Sequence, residues 1–98
     1  MSAIQLKTDD HDQALMILTE ALETEKLRIN YSLQLAQRRL SKFEKKYSVN
    51  SEEFITKWAA EDLEGKDMEY IEWAGEYKLA SQLTGRLRTI TGIVHVTP

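Results

Sequence analysis

Ninety-eight residues with 42% apolar and 30% charged side chains make one domain, at the size where a single chain only just buries an adequate core. The net charge of −3 is unevenly laid out: between Glu52 and Glu76 nine acids meet only Lys57 and Lys66, the wrong sign for a non-specific nucleic-acid binder. Cysteine is absent, which excludes disulfides and thiolate metal sites. The start MSAIQLKTDDHD lacks the basic-then-apolar build of a signal peptide, and no apolar run approaches the ~18 residues of a membrane span. The expectation is a cytoplasmic protein that meets neither membrane nor nucleic acid directly.

The one proline is Pro98 and only four glycines occur, so helix-favouring residues fill most of the chain and the fold class expected is all-α. Residues 1–8 carry no pattern and are expected to fray. A long helix is predicted over 9–47. Asp9, Asp10 or Asp12 can cap it by accepting the unpaired amide protons of the first turn. Leu15, Leu18, Leu22, Ile29, Leu33, Ala36, Leu40, Phe43 and Tyr47 recur in steps of three and four, with polar Glu25 in the slot between Leu22 and Ile29. The four-residue step from Ile29 to Leu33 reads as a stutter in a coiled-coil-like seam. Leu27, Tyr31 and Leu35 form a second row, so the helix is apolar on more than one face. At its end Arg38, Arg39, Lys42, Lys45 and Lys46 face Glu44 alone. Cations belong at a helix C-terminus, where the macrodipole is negative, and that reading outweighs a nucleic-acid patch.

SVNSEEF punctuates the chain. Asn50 or Ser51 can cap a short helix predicted over 51–63, with Glu53 at the capping-box position if Asn50 is the cap. Phe54, Ile55, Trp58 and Ala59 form its apolar face. EGKD reads as a loop turned by Gly65. Asp67 then caps a third helix over 67–91, in which Tyr70, Trp73, Tyr77, Ala80, Leu83, Leu87 and Ile90 recur at helical steps. Gly92 ends it, and 92–98 reads as an extended strand or arm. The whole is a single helical domain.

The two long helices differ in reach. About 38 residues at ~1.5 Å each span roughly 57 Å, whereas about 24 span roughly 36 Å. A folded-back hairpin leaves around 20 Å of the first helix uncovered by the same arithmetic. Burial of each large apolar side chain there is worth ~1.5–3 kcal/mol, which favours a second copy. The expectation is a homodimer that completes the bundle through Leu15, Leu18, Leu22, Ile29 and Leu33. The competing form is a monomeric three-helix bundle with a frayed N-terminal extension.

Catalytic patterns are weak. His11 and His95 lie near opposite chain ends in no ligand spacing, and serines 32, 41, 48, 51 and 81 lack a nucleophile-elbow context. EDLEGKD lacks the alternating acids of a calcium loop. Glycine-rich phosphate loops are missing, and Glu69, Glu72 and Glu76 have no evident pocket to raise their pKa. Neither an enzyme nor a cofactor or metal is expected. Trp58, Tyr70, Trp73 and Tyr77 at helical spacing suit a core, yet tryptophan and tyrosine also dominate interface hot spots. A helix-turn-helix reading fails because the recognition helix would bring three glutamates to the phosphates.

Together, the leucine-rich helix ending FEKKYSVNSEEF, the acidic turn and DMEYIEWAGEY resemble small prokaryotic helical proteins encoded beside a toxin-like reading frame and taken as antitoxins. The resemblance covers roughly residues 10–90 and is most specific at Phe43–Tyr47, Ser51–Phe54 and the pair Glu72-Trp73. Glycine commonly follows the tyrosine in that pattern, whereas Ser48 stands here, which implies a different first turn. The resemblance implies an antitoxin that neutralises a cognate toxin, such as an RNA-cleaving enzyme, by direct contact. A basic toxin cleft would meet Trp58, Glu69, Glu72, Trp73, Glu76 and Tyr77, with GIVHVTP as a possible added strand. The alternative is a coiled-coil scaffold or assembly adaptor with no toxin partner.

Overall fold

The computed structural model describes residues 2–58 and 68–94, Trp58 in its backbone only. Every regular element among them is helical: α1 (His11–Tyr47), α2 (Ser51–Glu53) running directly into a π-helical segment (Phe54–Trp58), and α3 (Met68–Thr91). The fold class is all-α, as expected. The predicted stretch 59–63 of the middle helix, the EGKD loop, the Asp67 cap and residues 95–98 of the tail lie outside the described residues.

Local chemistry sets the boundaries. Asp10 caps α1 with its carboxylate accepting from the Gln13 amide at 3.1 Å. Asn50 caps α2, its side-chain oxygen accepting from the Glu53 amide at 2.7 Å. The π-helical segment was not expected. There the Thr56 hydroxyl donates to the carbonyls of both Glu52 and Glu53. At the far end of the chain, the Gly92 amide donates to the carbonyl of Arg88 and closes α3.

The turn after α1 corrects one expectation. Ser48 has φ 55° and ψ 40°, the left-handed conformation that a glycine takes most readily after a helix. Its amide donates to the Glu44 carbonyl, so the turn keeps the glycine geometry despite its side chain. Ser48→Gly is therefore expected to stabilise the fold by about 0.5–1 kcal/mol, the relief of a Cβ clash less the entropy of the freer unfolded chain. A higher urea midpoint at unchanged slope would show it.

α1 and α3 pack antiparallel, as the cross-links Lys46–Glu69, Arg39–Glu76 and Arg86–Glu25 require. The shared core is Ile29, Leu33, Ala36 and Leu40 from α1, Trp73, Ala80, Leu83 and Ile90 from α3, and Phe54. Ile29 and Leu33 are thus covered within one chain. That corrects the reading that they await a second copy. The alanines permit close approach of the two helices, and Leu22 packs at the edge of the cluster.

The shape follows from the unequal helices. α1 has 37 residues and α3 has 24, and the principal extents are 57 × 24 × 19 Å. The radius of gyration is 19.0 Å, against about 13 Å for a compact chain of this size. The uncovered part of α1 is His11–Ala21. Within it Met16 and Ile17 are exposed and Leu18 keeps 41% of its surface. Leu15 is only half-exposed.

Candidate protein-binding site

The acidic-aromatic stretch of α3 divides into an inward and an outward set. Trp73 is completely buried. Its ring stacks on Phe54 at 3.9 Å between centroids and 1° between planes, and further on Phe43 and Tyr47. Tyr70 meets Phe54 and Tyr47 edge-on. Five aromatics from all three helices therefore form one cluster at the end of the rod farthest from the α1 overhang. Trp73 is a core residue and not a surface contact, which corrects its place among the partner-binding residues. Tyr77 is half-buried against the core. The Trp58 side chain lies outside the described residues.

A polar relay runs through this cluster. The Trp73 indole N–H donates to the Ser51 hydroxyl at 2.9 Å, and that hydroxyl donates to the Glu44 carboxylate at 2.8 Å. The Ser51 amide donates to the same Glu44 oxygen at 2.8 Å. One buried serine thus joins α1, α2 and α3. Sequence reasoning had no view of this pairing, because nothing in local spacing connects Glu44 with Trp73. The signal available was a serine directly after the Asn50 cap, in the segment SEEF that also carries Phe54 into the aromatic cluster.

The acids of α3 are met by the cations at the end of α1. The Lys46 ammonium reaches Glu69 at 2.6 Å, and the Tyr47 hydroxyl donates to its other oxygen at 2.6 Å. Arg39 reaches Glu76 at 3.2 Å. The second oxygen of Glu76 is buried and has no hydrogen-bond partner. Lys42 and Glu72 line the same groove, so three cations face three carboxylates along it. Glu72 is exposed and forms no ion pair among the described residues. Part of the charge run at the end of α1 therefore does more than respond to the helix dipole: Arg39 and Lys46 pair with carboxylates of α3. It complements α3, and it leaves Glu72 as the outward acid of the three.

These contacts shift acid strength. The hydrogen bond from Lys46, followed by that from Tyr47, holds the Glu69 carboxyl below its ordinary 4.5. Glu25 is likewise lowered, chiefly by its hydrogen bond from Arg28, with the charges of Arg28 and Arg86 adding and partial burial opposing. A carboxylate with a depressed folded pKa adds stability that is present above 4.5 and lost as the pH falls through the folded value. Stability should therefore decline below about pH 4.5, and Glu69→Gln should make that decline shallower. Urea midpoints measured from pH 7 down to about pH 3 provide the check.

The α1 overhang supplies a second kind of surface. Its seam residues Leu15 and Leu18 continue the line of Leu22 and Ile29 past the end of α3. On the opposite face, Leu27 and Tyr31 stand one turn apart and are 72% and 65% exposed. Of the residues predicted to form a dimer, Leu15, Leu18 and Leu22 remain at least partly open to solvent, while Ile29 and Leu33 are closed. Among the described residues no helix is long and apolar enough to cross a membrane, and no group of three His, Asp or Glu is placed to hold a metal ion.

Comparison with family models, with curated proteins and with solved structures finds no match to this chain.

Proposed function

We propose that this chain is a protein-binding module, the antitoxin of a toxin–antitoxin pair that neutralises a basic cognate toxin by direct contact. The observation that carries the binding reading is Leu27 and Tyr31, two large side chains exposed on the face of α1 that α3 leaves untouched. Apolar and tyrosine side chains held on a rigid helix lose little entropy on docking and make effective interface anchors. Glu72, exposed on α3, adds a carboxylate suited to a basic surface. The toxin as partner comes from the family resemblance. Its most specific residues, Phe43, Tyr47, Ser51, Phe54 and Trp73, are those that build the aromatic cluster and its polar relay. They support a shared architecture, while the contact surface is free to differ.

Co-expression tests this reading. The product of the neighbouring reading frame should arrest growth when expressed alone, and this chain should restore it. Leu27→Glu/Tyr31→Glu should abolish the rescue while leaving helix content intact, and Glu72→Lys should weaken binding about tenfold with a shallower salt dependence. A neighbour that is harmless alone would instead favour the scaffold, in which α1 serves as an assembly rod.

A further inference from the structure

The end of the rod that carries the overhang also carries a groove. Leu22 and Ile29 of α1 form one wall, and Gly85, Ile90 and the following Ile93 form the other. A Cβ placed on Gly85 would meet no atom within 4 Å, so this side of α3 is open. At the mouth, Glu25 alone serves two guanidiniums: Arg28 donates to it at 2.9 Å and Arg86 at 3.1 Å. One carboxylate between two cations leaves surplus positive charge. The overhang has the opposite character. From Thr8 to Glu25 no lysine or arginine occurs, while Asp9, Asp10, Asp12, Glu20 and Glu23 do.

We propose that two copies of this chain pair antiparallel at this end, each overhang lying along the α1–α3 groove of the other. The lengths agree. His11–Ala21 spans about 16 Å of helix, and the groove wall Leu22–Ile29 about 12 Å. The two-fold axis passes near residue 20, which sets Leu18 against Leu22 of the second copy and brings the acidic first turn of α1 to the Arg28–Arg86 mouth. The contact is isologous and therefore made twice, as overhang into groove and as groove onto overhang. Parallel pairing would instead align two acidic N-termini and two helix dipoles, and would leave the arginines unmatched. This pairing uses the seam face of α1, so Leu27 and Tyr31 stay free for a different partner.

Absolute molecular mass by light scattering, from about 1 to 100 μM, tests the pairing. The expected result is a dimer for the full chain. Leu18→Glu and Gly85→Leu should each raise the dissociation constant at least 100-fold at unchanged helical signal. Leu18 is already 41% exposed in one chain, and leucine is the better helix former at position 85. If either variant loses helix, Asp12→Lys probes the same contact from the acidic side and should weaken it at least tenfold. The natural chain has no cysteine, so single cysteines report the sense. Ala21→Cys should cross-link to itself under mild oxidation, and His11→Cys should not. A monomer at 100 μM, a dimer indifferent to these substitutions, or any other cross-linking pattern overturns the proposal. Growth rescue is read separately, so its loss and the loss of pairing are distinguishable.

Discussion

Trp73→Ala is expected to cost about 3–5 kcal/mol, the loss for a large aromatic removed from a site with no exposure. The ring is parallel to Phe54 and Phe43 and close to parallel with Tyr47, so its removal opens a void bordered by three other aromatics. Such flat, interlocked rings collapse poorly onto a methyl group, which favours the upper part of that range. A domain of this size has about 5–15 kcal/mol in total, so the variant should stand near the edge of folding. Chemical denaturation followed by far-ultraviolet circular dichroism would measure the loss. A cost below about 1 kcal/mol would mean that Trp73 does not sit in the core.

Ser51→Ala is expected to cost about 1–3 kcal/mol, far more than removing one oxygen from a surface serine. The hydroxyl both accepts from the Trp73 indole and donates to Glu44, so its loss strands a buried N–H and removes one of the two donors to that carboxylate. The helix cap does not confuse the result, because Asn50 performs that task. Trp73→Phe removes the same indole donor from the other side. The two substitutions should therefore be strongly non-additive, with a coupling of about 0.5–3 kcal/mol in a double-mutant cycle. Additive costs would dismiss the relay.

Much of the architecture was legible in the residues. The seam from Leu22 to Tyr47 is a period that a strand or loop cannot use, and Asp10, Asn50 and Gly92 mark ends through chemistry that acts within three or four residues. What stayed hidden depends on contacts distant in sequence. Arg39 finds Glu76 and Lys46 finds Glu69 only once α3 folds back in one register, and no local pattern states that register. Trp73 illustrates the limit. Acids on both sides of it in sequence point to a wet surface, yet a helix turns 100° per residue, so Glu72 can face solvent while its neighbour is sealed. Ser48 shows that side-chain identity can mislead about a turn whose backbone demand is met anyway. The π-helical segment leaves no mark in FITKW that distinguishes it from an ordinary helical turn.

The placement of all the clustered rings at one extremity has a consequence for how unfolding would be observed. Emission from Trp73, in a Trp58→Phe background, senses only the neighbourhood of that extremity, whereas ellipticity averages over the full length of the rod. The opposite extremity has few tertiary neighbours and should fray first on heating. The two signals should then lose coincidence, ellipticity sagging early and emission changing late, so that a single midpoint would misrepresent a molecule that loosens from one tip toward the other.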